Sequence, residues 1–263
     1  MTKRLWLMVN SVIVLVCLFG LWQVLVIWKH LPVYMLPGPG VVLAALVQKR
    51  ASLLNSLWIT TEEAAGGLVV SILVGIGVAL VFAQWRWLRQ LVYPYTILLQ
   101  TVPIVAIAPL IINWVGPGIT AVMVVTFIIC LAPIIANTTQ GLISVDRNLL
   151  DLFLMHKATS AQILFKLRLP HALPNIFTGI RISAGIAVIG AITGELFAGS
   201  MRVGEGGLGY AIMYANSQLE TAYMFALVAA ATVLGFSFFF LVMFFEWLAL
   251  HNWHESKRQA ASE

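Results

Sequence analysis

Apolar runs, each closed by a short polar or basic cluster, recur along the whole chain. A helix that crosses bilayer hydrocarbon needs about 20 mostly apolar residues, and the runs over about 5–28, 58–83, 91–114, 119–136, 176–198 and 222–250 meet that length. They lack the alternating pattern of a membrane β-barrel. The expected architecture is therefore all-α and polytopic, with six transmembrane helices. Pro94, Pro103 and Pro109 interrupt the third run. Between the first two runs, Pro37, Gly38, Pro39 and Gly40 make a turn, and the short apolar stretch after it reads as an interfacial helix. One segment breaks the pattern, Asp151 to Pro174. Leu152, Met155, Ile163, Leu164, Leu167 and Leu169 give it apolar faces at roughly helical spacing, while His156, Lys157, Lys166, Arg168 and His171 make its polar side basic. Such a segment belongs outside the bilayer, on a surface that meets a partner.

Composition agrees with this reading. The 263 residues are 61% hydrophobic and 10% charged, against about 25% charged in soluble domains. The net charge of +5 is spread over the ends of apolar runs, which orients a polytopic protein and is no nucleic-acid signal. With the N-terminus in the cytoplasm, Lys3, Arg4, Arg86, Arg89, Arg147, Lys157, Lys166, Arg168, Lys257 and Arg258 all face inward. Only Lys29, Lys49, Arg50 and Arg202 face outward. Both termini and the 151–174 segment are thus expected in the cytoplasm. The first apolar run is longer than the roughly 7–15 residues of a signal-peptide core and is read as a retained span. Cys17 and Cys130 lie within apolar runs, without metal-ligand spacing.

The sequence offers few chemical groups. No Ser/His/Asp set, HExxH motif or paired intramembrane carboxylates stand out, and the five histidines read as solvated or interfacial. Gly204, Gly206, Gly207 and Gly209 form a glycine-rich loop, but no Gly-Lys-Ser/Thr follows, so it is not a phosphate loop. Any ATP hydrolysis must come from another chain. Glu195, at the end of the fifth run, is costly in hydrocarbon. It reads either as a pathway or gate residue or as a helix-end carboxylate that reaches the interface. Arg181 in the same run is roughly 20 Å away along a helix axis and does not pair with it directly. In the third run, Pro103 and Pro109 free backbone carbonyls, and Gln100, Thr101 and Asn113 add polar side chains. This run either lines a solute path or is a kinked packing helix. Small residues in the fifth run, Gly179, Ser183, Ala187 and Ala191, with Gly190 and Gly194, suit close helix packing, as do Gly67, Ser71 and Gly75 in the second. Asn137, Thr138, Thr139 and Gln140 read as the solvated end of the fourth run.

The segment ending KLRLPHALP resembles the EAA loop of binding-protein-dependent ABC importer permeases, which runs Glu-Ala-Ala, three residues, Gly, and closes on Ile-x-Leu-Pro. Leu169 and Pro170 stand at the Leu-Pro positions and Leu167 at Ile. Lys157 falls at Gly, and Asp151, Leu152 and Phe153 fall at Glu-Ala-Ala. LPGPGVVLAAL and GGLGYAI are similar to stretches of the nitrate/sulfonate/taurine group. QTVPIVAIAPLI with KLRLPHALP is most similar to the branch for thiamine-precursor pyrimidines. The resemblance implies a type I ABC importer transmembrane fold in an inner membrane. It divides the chain into a first span with an outer segment (1–56), a transmembrane domain (57–250) with a coupling loop (146–174), and a cytoplasmic tail (251–263). It implies no enzyme activity in this chain. The expected partners are cytoplasmic ATPases that hold ATP and Mg2+, an extracytoplasmic solute-binding protein, and a second permease copy in a homodimer. Leu152, Phe153, Met155 and Leu164 are the expected anchors in the ATPase cleft, with Lys157, Lys166 and Arg168 at its rim. Alkanesulfonate, taurine, nitrate and riboflavin are alternative substrates. A secondary transporter without an ATPase is the competing class.

Overall fold

The structure is a computed structural model that describes residues 2–198 and 206–251. Arg202, Gly204, His254, Lys257, Arg258 and the tail 252–263 lie outside the described residues, as do the side chains of Lys3 and Arg4. Among the described residues every regular element is a helix: α1 (Thr2–Trp28), α2 (Pro39–Gln48), α3 (Arg50–Gln84), α4 (Arg86–Leu98), α5 (Ile104–Val115), α6 (Ile119–Ile143), α7 (Arg147–Met155), α8 (Ser160–Ile163), a π turn (Leu164–Arg168), α9 (Leu169–Ala198), α10 (Leu208–Ser217) and α11 (Thr221–Leu250). Four of these stretches are long and apolar enough to cross a membrane: α3, α6, Ser160–Ala198 and α11.

The bundle is built on α6, which packs between α3 and α9, with α11 and α10 closing over α9. Small residues set these distances. A Cβ on Gly67 would come 2.5 Å from Thr126 Cβ and 2.8 Å from the Met123 carbonyl. A Cβ on Gly190 would come 3.1 Å from Thr126 Cα. Helices that approach this closely gain dispersion contacts in place of the hydrophobic drive that lipid does not supply. Gly179 and Gly194 face α6 in the same way, and Ala187 is fully buried. Ser183 donates to the Cys130 carbonyl at 2.8 Å and locks the register of α6 against α9. Arg181 pairs across the bundle with Glu246 of α11 at 2.9 Å.

Three sequence expectations change here. The third apolar run is not one broken span but two helices, α4 and α5, joined by a turn over 99–103. Pro103 ends the turn and serves as the N-cap of α5; its ring disfavours a helical Val102 before it. Thr138 and Thr139 are buried rather than solvated. The reason is that α6 runs on to Ile143, so that Gly141 meets Asn175 and Ala172 of α9. Of that polar quartet only Gln140 is exposed. Pairs of like kind, Glu63 with Glu195, also exist inside the bundle, contrary to the sequence expectation, and they are described below.

Candidate functional site

Two places carry polar or unpartnered groups in a defined geometry, and they sit at opposite ends of the bundle. The first follows α6. Asp146 caps α7 by accepting from the Asn148 N–H at 2.7 Å, which satisfies one of the free donors at a helix start. No residue of α7 is buried. Leu149, Leu152 and Met155 recur every third position, so they share one face, and all three are exposed, Met155 at 81%.

The end of α7 explains the departure at Lys157. The Ala158 N–H bonds the Phe153 carbonyl and the Lys157 N–H bonds the Leu154 carbonyl. That pair of bonds is the Schellman closure, which needs a left-handed residue just past the helix and favours glycine there. Lys157 holds φ at 55°. A lysine thus carries a left-handed backbone conformation that ordinarily favours glycine. A capping box of Thr159 and Gln162 then starts α8 at once.

The rear of the segment is a mount. Leu164 is 6% exposed and packs with Ala79, Ala83, Leu142, Ala172 and Ile176. Arg168 Nη1 donates to the Ala83 carbonyl at 2.6 Å, tying the π turn to the end of α3. The π turn ends two residues before Pro170, whose missing N–H leaves a carbonyl free within the helix. Leu164 and Arg168, expected as an anchor and a rim contact for a partner, are instead committed to their own chain. Asp151, Leu152, Met155, Lys157 and Lys166 are exposed, and Phe153, Leu169 and Pro170 are half-buried.

The second place is at the far end of α9. Glu195 is 3% exposed. It accepts from Thr60 Oγ1 at 2.6 Å and from the Gly209 N–H in the first turn of α10. Thr60 Oγ1 also accepts from the Leu208 N–H at 2.8 Å, and Ser56 donates to the Gly206 carbonyl at 2.8 Å. Glu63 is 4% exposed, one turn along α3 from Thr60, and neighbours Glu195. The glycines follow from this geometry. A Cβ on Gly207 would collide with Glu195 Oε1, and one on Gly209 would come 2.5 Å from the Ile192 carbonyl. Glu195 therefore neither lines an open path nor reaches the interface in this structure: it fastens α10 to α3 and α9. Thr60 escaped the sequence reading, and Glu63, which it sets near the outer end of the second run, was given no partner. The available signal was a Thr and a Glu three residues apart in an apolar helix, where a buried carboxyl asks for a partner.

The remaining candidates sit on and beside α5. Ala108 and Ile111 pack on Val125 of α6, while Pro109 and Asn113 face away and are exposed. Gln100, Thr101 and Pro103 are exposed in the α4–α5 turn. Gln100 also borders a cavity of about 310 Å³ that reaches Pro133 and Ile186.

A helical membrane bundle with an unpartnered amphipathic helix at one end has the form of a transport subunit that works with other chains. Comparison with known proteins agrees. Residues 71–247 match the family described as "Binding-protein-dependent transport system inner membrane component". The chain is 31% identical to the riboflavin transport system permease protein of Chloroflexus aurantiacus, over 95% of this chain and 92% of that protein. It is 33% identical to the formylaminopyrimidine transport permease protein of Halalkalibacterium halodurans, over 77% and 79%. A chain of the MetNI methionine ABC transporter, solved in inward-facing conformations, shares the fold with a TM-score of 0.51 at 22% identity, over 76% of this chain and 96% of that one. The protein belongs to the binding-protein-dependent transport system inner membrane component family: it is an ABC importer permease of the inner membrane.

Proposed function

We propose that this chain forms, as a homodimer, the solute pathway of an ATP-driven importer, and that α7 is where a cytoplasmic ATPase delivers force. The observation that carries the proposal is the exposed stripe of Leu149, Leu152 and Met155. It stands on a helix with no buried residue and is mounted through Leu164 and Arg168 on α3, α6 and α9. A stripe this apolar outside the bilayer calls for a protein partner. Movement of α7 then passes to the packed helices through that mount. The basic residues place α7 in the cytoplasm, so the Glu195 end faces outward, toward a solute-binding protein. The exposed face of α5, with Pro109 and Asn113, is the face offered to the second copy and the pathway between them.

The proposed cargo is a small aminopyrimidine of the thiamine-precursor type. Support comes from the similarity to the formylaminopyrimidine permease and from the QTVPIVAIAPLI and KLRLPHALP stretches. Riboflavin is the second reading, favoured by the similarity to the riboflavin permease; both cargoes are flat nitrogen heterocycles. The test is uptake by proteoliposomes that hold the permease, its ATPase and its binding protein. Labelled formylaminopyrimidine is expected to accumulate only with ATP and binding protein present. Accumulation of riboflavin instead overturns the substrate, and accumulation of either without ATP overturns the importer reading.

A further inference from the structure

Two carboxyls are buried against one another at the end of the bundle away from α7, and only one has partners suited to a negative charge. Glu195 receives the Thr60 hydroxyl at 2.6 Å and the Gly209 N–H, at the start of α10, where the peptide dipoles leave partial positive charge. Glu63 has no such support. Its Oε2 is buried without a hydrogen-bond partner, and the group beside it is Glu195.

Among the described residues no cation faces the pair. The charged neighbour on α3 is Glu62, which is exposed and adds further negative charge. From α10 the groups facing the pair are backbone N–H donors. The nearby Lys49 is engaged with Glu220, the N-cap of α11, and stacks over Tyr223. Two neighbouring carboxylates, 4% and 3% exposed, repel one another strongly where little water reaches them. A single proton turns the repulsion into a hydrogen bond.

We propose that Glu63 is a proton-binding group: it holds one proton, donates it to the Glu195 carboxylate, and so completes a latch that joins α3, α9 and α10. The asymmetry of partners decides which residue carries the proton. Glu195 uses both oxygens as acceptors, whereas Glu63 Oε2 has no partner among the described residues. On the permease reading above, on which this last step rests, the latch fixes the glycine loop and α10 at the outer face. Any outward opening that parts α3 from α9 must break the Glu63–Glu195 bond, and one that moves α10 must break its N–H bonds to Glu195 and Thr60.

Infrared spectroscopy of the purified permease–ATPase complex tests the proton directly. The wild-type minus Glu63→Gln difference spectrum is expected to contain a protonated-carboxyl C=O band that shifts in D2O. Absence of that band overturns the proposal, as does a band that persists in Glu63→Gln and vanishes in Glu195→Gln. Uptake tests the latch. Glu63→Gln keeps a donor toward Glu195, whereas Glu195→Gln removes the charge that α10 and Thr60 bind. The loss of uptake with Glu195→Gln is expected to exceed that with Glu63→Gln about tenfold; the reverse order overturns the assignment. The infrared result stands apart from transport, so failure of the importer reading leaves it intact and is recognised separately.

Discussion

Leu152→Asp combined with Met155→Asp is expected to cut recovery of the ATPase with the solubilised permease about a hundredfold, because a few central apolar anchors carry most of an interface's affinity. Both side chains are exposed within the chain, Leu152 at 49% and Met155 at 81%. The doubly substituted permease should therefore unfold at the same temperature as the wild type. Leu164→Asp makes the contrast. Leu164 lies in the cluster with Ala79, Leu142 and Ile176, so a charge there is buried without a partner and destabilises the permease itself. Measuring thermal unfolding beside co-purification separates the two effects. ATPase retention with Leu152→Asp/Met155→Asp removes α7 from the coupling role.

Gly209→Val is expected to have the second large effect. Its Cβ meets the Ile192 carbonyl at 2.5 Å and Glu195 Oε2 at 2.9 Å. The first contact is backbone and cannot move aside, so α10 must shift off α9. The expected cost is about 1–3 kcal/mol from overpacking, added to loss of the Gly209 N–H to Glu195. Lower unfolding temperature and loss of ATP-driven uptake are the readouts. Gly20, with open space around its Cβ site, is the control, and Gly20→Ala should leave both unchanged.

Of the six expected spans, the four that the described residues bear out were legible in the sequence because a membrane helix is declared by length and apolarity, which need no knowledge of neighbours. The basic segment was legible for the converse reason: charge within so apolar a chain marks an aqueous surface. Its internal division was not. Leu152, Met155 and Leu164 are all apolar at helical spacing, and periodicity does not say which apolar face meets its own chain and which is left for a partner. Only the Schellman turn at Lys157 and the π turn before Pro170 aim the two halves differently. The α4–α5 division was half legible, since the prolines marked a break without saying that the chain turns there. Glu63 was hidden because its partner lies far along the chain, on α9, and only the packing of α3 and α9 on α6 brings the carboxyls together. Lys157 was read as a departure from the glycine pattern by side chain; its backbone, with φ at 55°, takes a conformation that favours glycine.

The claim at the centre of this account is that force enters through the exposed face of α7. Site-directed cross-linking measures it most directly, with single cysteines at Met155 and Leu164, in the Cys17→Ser/Cys130→Ser background, in membranes that contain the whole importer. A covalent adduct with the ATPase is expected from Met155→Cys and none from Leu164→Cys. An adduct from Leu164→Cys alone, or none from Met155→Cys while ATP-driven uptake persists, contradicts the account.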